Sequence, residues 1–203
     1  MTGMEATELM SHQSFSIKKM YHRMRGEFPK VPWKRLTCNN YAVPRWSFII
    51  NLAIQGKLHT KDKVAGWGKA IDQKCKLCNE ENETIPHLFF ECGMSKEILG
   101  RLLKWQGFQR SVLKWDEEIE WTVQEINGKK VIAEVYKMTL AGYVYYIWLE
   151  RNTTLFQDKK KTVDGIFRVI VQDVFYRGNK KSKVANKLKE LDSYPQAVKV
   201  EDR

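Results

Sequence analysis

Four side chains between residues 75 and 92 have the types and the spacing to hold a metal ion. The stretch CKLCNEENETIPHLFFEC places Cys75, Cys78, His87 and Cys92 in the order C-x2-C-x8-H-x4-C. Zinc takes four soft or borderline ligands in a tetrahedron, with thiolates at about 2.3 Å and imidazole nitrogens at about 2.0–2.1 Å. A C-x-x-C turn supplies two thiolates from one tight loop, a knuckle whose amide N–H groups can point at the sulfurs. Three thiolates and one imidazole close the shell, whereas a catalytic zinc keeps one position for water or substrate. A redox pair would need neither His87 nor Cys92, and no strand precedes this C-x-x-C as one would in a thioredoxin-like site. The spacing therefore predicts a structural Zn2+ site on these four residues.

The second ligand pair has to return to the first. Asn79 to Asn82 are turn formers or charged, and Pro86 suits the first position of a short helix. His87 and Cys92 lie five residues apart, which on an α-helix is about 140° of rotation and about 7.5 Å of rise. That divergence is too large for one ion, so the helix is expected to tighten or end before Cys92, with Gly93 placed to let it. Leu88, Phe89 and Phe90 can roof the site. Cys38 is too distant in sequence to be read as a ligand and fits a small buried side chain.

The elements that must position this cluster are helical. SFSIKKMYHRM puts Ile17, Met20, Tyr21 and Met24 on one face after a cap at Ser16. A short piece with a turn at Asn39–Asn40 follows, and Pro44 opens a buried helix that stops near Gly56. Thr60 reads as the N-cap of a short helix ended by Gly66 or Gly68, and Ser95 as the cap of KEILGRLLKWQGF. A helix near Asp116–Ile126 ends at Asn-Gly. From Lys129 to about Gln157 apolar residues recur at helical spacing, giving a spine of roughly 40 Å. Thr162 caps a further amphipathic helix, and a last basic helix spans about Lys181–Leu191. The fold class is mainly α, a multi-helix domain with a small zinc knuckle, where a short β-hairpin is the one strand pairing the pattern accommodates. The division is an N-terminal tail at 1–14, a helical zinc-binding domain at 15–180 with its zinc module at 71–95, and a basic C-terminal helix and tail at 181–203.

The chain has 203 residues, 43% hydrophobic and 12% aromatic, which excludes wholesale disorder. No run of 18 apolar residues exists, so no membrane span is expected. The opening MTGMEATELMSHQ carries Glu5 and Glu8 and lacks an apolar core, which argues against a secretory signal and more weakly against a transit peptide. Four cysteines are too few for a disulfide scaffold, so an intracellular site is expected, nucleus or cytoplasm before organelle. The net charge of +11 suggests a polyanionic partner, and nucleic acid is the commonest. Residues 75–98 carry two basic against five acidic side chains, while residues 151–203 carry thirteen against seven, so the basic excess flanks the cysteine cluster.

The flanks of the cluster resemble a known family. PRWSFIINLAIQGKLHTKDKVAGWG, then the cysteine stretch, KWQGF and YYIWLERNTTLFQ are together similar to the zinc-binding region that follows the reverse transcriptase in plant non-LTR retrotransposons. That family has a Gly-Arg-Leu-x-Thr-like turn, here Gly56, Lys57, Leu58 and Thr60, the C-x2-C…H-x4-C site, and an I-W-x-E-R-N signature, here Ile147, Trp148, Glu150, Arg151 and Asn152. Lys57 stands where Arg is usual, and Cys38 where an aromatic is expected. The resemblance spans roughly residues 15–180 and implies a freestanding fragment that binds zinc and associates with nucleic acid. No Y-x-D-D polymerase motif is present, and the resemblance implies no catalysis here.

No enzyme activity or small-molecule substrate is expected. Asp116, Glu117, Glu118 and Glu120 cluster at a helix start, where acids favour the dipole and read as a solvated face. His12, His22 and His59 lack a partner at motif spacing. Glu150 and Arg151 could pair or bind phosphate, with Asn152 as a polar bracket between helices. The expected phosphate contacts are Lys159, Lys160 and Lys161 before the penultimate helix, and Arg177, Lys180, Lys181 and Lys183 after it. Trp67, Trp105 and Tyr176 are available to stack on unpaired bases, if exposed. The expected partner is RNA or DNA. The competing expectation is a protein-interaction subunit of a larger ribonucleoprotein assembly.

Overall fold

A computed structural model describes residues 16–26, 31–37, 43–68, 72–126 and 130–191. The expectations for Cys38, for the Asn39–Asn40 turn, for His12 and for the Asn-Gly at 127–128 lie outside these residues. The chain divides into two units, Met1–Val31 and Pro32–Arg203. In the first, helix α1 (Ile17–Arg25) starts at Ser16, whose Oγ accepts the Lys19 N–H at 3.4 Å, as its sequence predicts. Its apolar face is exposed, with Ile17 and Met24 each 73% accessible.

The second unit is built around one long helix. Its helices are α2 (Lys34–Thr37), α3 (Pro44–Ile54), α4 (Lys61–Ala65), α5 (Gly93–Trp105), α6 (Trp115–Glu125), α7 (Val131–Gln157), α8 (Val163–Gly178) and α9 (Ser182–Glu190). The 27 residues of α7 span about 40 Å at 1.5 Å per residue. Fourteen of its residues are buried, which requires neighbours on several sides. Helices α3, α8 and α9 pack along it, and α5 packs on α8. No strand occurs among the described residues; the hairpin accommodated at the knuckle is a single antiparallel bridge, Lys74 to Asn82.

Close approach of α3 to α7 depends on Gly142. A Cβ at that position would meet three ring atoms of Trp46 at 3.0, 3.2 and 3.3 Å. Trp46 is itself fully buried, so the indole lies flat against bare backbone and fills the space a side chain would take. Two caps match their sequence signals: Pro44 occupies the first turn of α3, and Thr162 Oγ1 accepts the Gly165 N–H at 3.1 Å.

Three expectations are corrected. Ser95 does not cap its helix: α5 begins at Gly93, and Ser95 is buried in its first turn. Thr60 precedes α4, but its hydroxyl turns to Asp62, and the Lys61 N–H is accepted by the Glu83 carboxylate at 2.9 Å instead. Glu118 does not belong to a solvated face, although Asp116, Glu117 and Glu120 are exposed. Its position three residues into α6 turns it inward, where its carboxylate accepts from Arg110 and from the Tyr136 hydroxyl. Arg110 in turn stacks on Trp121, 3.9 Å above the ring. Spacing alone reads four acids at a helix start as dipole partners, and a half-buried arginine in the preceding loop, with the Tyr136 hydroxyl, is what separates Glu118 from the others.

Two glycines should respond oppositely to alanine. At Gly142 the rigid indole resists, and overpacking of about 1–3 kcal/mol outweighs a helix-propensity gain of about 0.8–1.0 kcal/mol. At Gly100, in α5, a Cβ meets only Val112 at 3.9 Å. Gly142→Ala should therefore lower the urea midpoint and Gly100→Ala raise it; a midpoint shift of the same sign in both would refute the packing assigned to Trp46.

Candidate metal centre and basic surface

The knuckle forms as a turn of the backbone around Cys75. The Asn79 N–H donates to the Cys75 carbonyl at 2.7 Å, and the Cys75 N–H to the Glu81 carbonyl at 2.8 Å. Asn79 adopts φ 60°, a left-handed value that asparagine tolerates better than most side chains. Backbone N–H groups of Leu77 and Cys78 face the Cys75 sulfur, and the Glu80 N–H lies 3.5 Å from the Cys78 sulfur.

His87 and Cys92 are joined by a mechanism the sequence reading did not contain. The helix does end ahead of Cys92, as expected, but it does not tighten first. It widens: His87–Glu91 is a π-helical turn, closed by the Cys92 N–H donating to the His87 carbonyl at 2.7 Å. A wider turn takes up about one more residue per revolution, so a five-residue gap that overshoots an α turn comes close to a full one. Cys92 then leaves helical geometry at φ −58°, ψ 128° and serves as the N-cap of α5. Gly93 opens the next helix; it does not release the previous one. The Thr84 hydroxyl accepts the His87 N–H at 3.1 Å and fixes the start of the turn. Leu88, Phe89 and Phe90 are buried in the domain core, where Phe90 meets Trp115 and Tyr143 edge-on. The Tyr143 hydroxyl donates to the Phe89 carbonyl, which ties the π turn to the middle of α7.

One candidate ligand atom from each of Cys75, Cys78, His87 and Cys92 lies within 4.8 Å of the other three. The sulfur of Cys78 is 3.3 Å from Nε2 of His87, which makes Nε2 the ring atom aimed at the centre. Thiolates at about 2.3 Å from a tetrahedral ion stand about 3.8 Å apart, so the observed cluster fits such an ion. The two buried thiols are driven in opposite directions by the hydrogen bond between them. Cys92 is drawn down to about 5, first by its hydrogen bond with Cys75 and then, against the effect of burial, by the N–H groups of Ser95 and Met94 and by His87. Cys75 is pushed up by the same bond to Cys92 and by burial. The N-cap position expected for Ser95 is occupied by Cys92, at the positive end of α5.

A second buried charge fixes the knuckle to the domain. Glu83, fully buried, receives Arg151 from α7 at 2.6 Å through Nη2 and at 3.1 Å through Nε. Arg151 therefore pairs with Glu83 and not with its neighbour Glu150, whose carboxylate accepts the Lys161 N–H at 2.5 Å. Asn152, expected as a bracket between helices, accepts from its own neighbour Arg151 Nη1 at 2.9 Å, a bond within α7. Arg151 also donates to the His59 carbonyl at 3.4 Å, so one guanidinium reaches α7, the knuckle and the turn before α4. Glu83 was not singled out from sequence. Its signal there was only a carboxylate between two ligand pairs, indistinguishable by type from the exposed Glu80 and Glu81.

The seven expected phosphate-binding residues fall in two places. Lys159, Lys160 and Lys161 follow α7, and Lys160 Nζ donates to the Leu77 carbonyl of the knuckle at 2.6 Å. Lys180, Lys181 and Lys183 are exposed beyond the far end of α8, about 24 Å away along a 16-residue helix. Arg177 is half-buried with its guanidinium 5.5 Å over Trp46, so it packs the core. Of the aromatics named as stacking surfaces, Trp67 and Tyr176 are 60% and 66% exposed, with Lys180 Nζ 5.6 Å over the Tyr176 ring. Trp105 instead packs on Phe175, ring centroids 5.9 Å apart.

Residues 15–98 match the family described as zinc-binding in reverse transcriptase. The matched segment contains all four ligands and ends inside α5; the residues of the I-W-x-E-R-N signature lie beyond it. No curated protein and no solved structure matches the chain.

One metal ion per chain is expected, and its removal should unfold at least the knuckle, since structural sites of this kind contribute on the order of 10–16 kcal/mol in apparent terms. Ligands bind deprotonated, so acid should release the ion and the fold together. Cys92→Ser should abolish retention, and elemental analysis of the purified chain reads both results. The Glu83–Arg151 pair makes a separate expectation. Glu83→Gln leaves a buried guanidinium without its charge partner and should cost about 3–5 kcal/mol, while Glu83→Met combined with Arg151→Met should cost clearly less than the two single changes summed. Urea denaturation of all the variants measures the coupling.

Proposed function

Starting from the match of residues 15–98 to zinc-binding domains associated with reverse transcriptases, we propose that this chain is a non-catalytic zinc-binding module, derived from a retroelement, that binds RNA or DNA through basic helical surfaces. The zinc ion holds architecture. Its four ligands close the coordination shell, so neither water nor substrate needs a place on it. The acids that could have served a nuclease are used otherwise: Glu83 and Glu118 sit in buried ion pairs, and Asp116, Glu117 and Glu120 lie on an exposed face.

The observation that carries this reading is the bond from Lys160 to the Leu77 carbonyl. It holds the exposed turn of Lys159 and Lys161 against the knuckle, so the metal centre fixes where those charges stand. Lys180 and Lys183 supply a second group beyond α8. Such contacts position a backbone without reading bases. No helix among the described residues is long and apolar enough to cross a membrane. A second reading, a protein-interaction subunit of a larger assembly, is favoured by the exposed apolar side chains of α1.

Each phosphate contact contributes about −0.9 to the slope of log affinity against log salt for duplex DNA and about −0.7 for single strands. Changing Lys159, Lys161, Lys180 and Lys183 together to Ala should flatten that slope by up to about three units. Affinity should fall almost uniformly across sequences. An unchanged slope, with metal content and fold intact, removes these lysines from the binding surface; binding of a purified protein partner through α1 in place of oligonucleotide favours the second reading.

A further inference from the structure

Between α4 and the last two turns of α7 lies an open cleft of about 740 Å³, apart from the metal centre and lined by aromatic and cationic side chains. Its two exposed aromatics, Trp67 at 60% and Phe156 at 78%, belong to segments 89 residues apart in sequence and line the same cleft. Trp148, half-buried, lines it between them. The two indoles have fixed neighbours. His59 meets the Trp67 indole edge-on with centroids 5.0 Å apart, and the Arg151 guanidinium, fixed by buried Glu83, stands 4.9 Å over Trp148.

Cations outnumber carboxylates along the lining, although Arg151 is already paired with buried Glu83. Lys61, Lys76 and Arg151 line the cleft, and the one carboxylate among its described lining residues, Asp72, already faces Lys61 at 3.4 Å and Lys76 at 3.6 Å. Phe156 stands three residues before Lys159. The bond of Lys160 to the Leu77 carbonyl brings that lysine turn against the residue next to Lys76. An apolar groove for a protein helix needs no such border of ammonium groups. Flat, accessible aromatic faces beside a track of cations are what unpaired nucleobases and their phosphates require.

We infer that this cleft is the place where single-stranded nucleic acid is engaged: bases stack on Trp67 and Phe156 while Lys76 and the Lys159–Lys161 turn hold the phosphates. The inference rests on the nucleic-acid reading above and adds to it a site and a preference for unpaired strands. A duplex keeps its bases stacked on one another, so it can use the lysines but not the rings. DNA and RNA strands share this chemistry, and both serve as probes.

The test measures binding of a mixed-sequence 12-nucleotide single-stranded DNA, the RNA of the same sequence, and the DNA duplex, by the metal-loaded full chain and by Trp67→Ala, Phe156→Ala and the double variant. Both positions are exposed, so fold and metal content should be retained. Each single change should weaken both single strands roughly five- to a hundredfold, the range for losing one stacked base. Duplex affinity and the salt slope should stay unchanged, and Trp67→Phe should restore most of the loss. Single strands bound by the double variant as tightly as by the unchanged chain overturn the inference while leaving the basic surface standing. Loss of a protein contact in the double variant, with oligonucleotide affinity unchanged, overturns it in favour of a peptide groove. No salt-sensitive binding of any of the three probes overturns both readings together.

Discussion

A fully buried carboxylate organises this domain. Glu83 carries a charge into an interior where an unpaired ion costs several kcal/mol, so its surroundings must supply compensation. They do so from three directions: Arg151 from α7, the Lys61 N–H from the start of α4, and, through the Glu83 backbone, hydrogen bonds to Gln73 and Asp62. These partners come from α7, from the start of α4 and from the segment at Gln73. Satisfying one charge therefore fixes the knuckle, the short helix α4 and the end of the spine helix relative to one another. The geometry is specific because a guanidinium fork meets a carboxylate in few orientations.

The metal centre is the second fixed point, and the two are coupled by sequence proximity. Glu83 lies between the C-x-x-C thiolates and His87, so an ion that gathers the four ligands also determines where Glu83 is presented. From His87 onward the π turn carries the chain into the core, where Phe89 and Phe90 pack and Tyr143 takes the Phe89 carbonyl. A local excess of one residue per turn thereby serves two demands. It brings Cys92 back to the ion, and it places Cys92 at the head of α5, where backbone N–H groups stabilise a thiolate. π turns occur in many proteins at functional sites, and here one falls between two candidate ligands.

The surface chemistry follows from this frame. Arg151 and Glu83 tie the end of α7 to the knuckle beside the cleft, and the same guanidinium stands over Trp148. The acidic residues of the knuckle, Glu80 and Glu81, stay exposed and face away from any role in holding an anion. Positive charge is instead carried by the turn after α7 and by the segment beyond α8. Architecture and binding are thus divided between the acidic module and its basic flanks.

Much of this was legible in the residues themselves. The four ligands, the boundaries of α3, α7 and α8, and the caps at Ser16, Pro44 and Thr162 follow from local rules: ligand type and spacing, a period of 3.6, and side chains that satisfy their own backbone. Such features need only neighbours in sequence. What the tertiary structure decided are the matters in which distant segments compete for one partner. Sequence could not tell buried Glu83 and Glu118 from their exposed neighbours, because burial of a carboxylate depends on an arginine that arrives from 68 residues away in one case and from a loop in the other. It could not place the start of α5 at Gly93 with Cys92 ahead of it, since that depends on how the preceding turn closes. It anticipated a helix that tightens or ends before Cys92; the helix does end there, but through a wider turn, because tightening and widening both relieve the angle. Only the packing of Phe89 and Phe90 against α6 and α7 selects the wider turn.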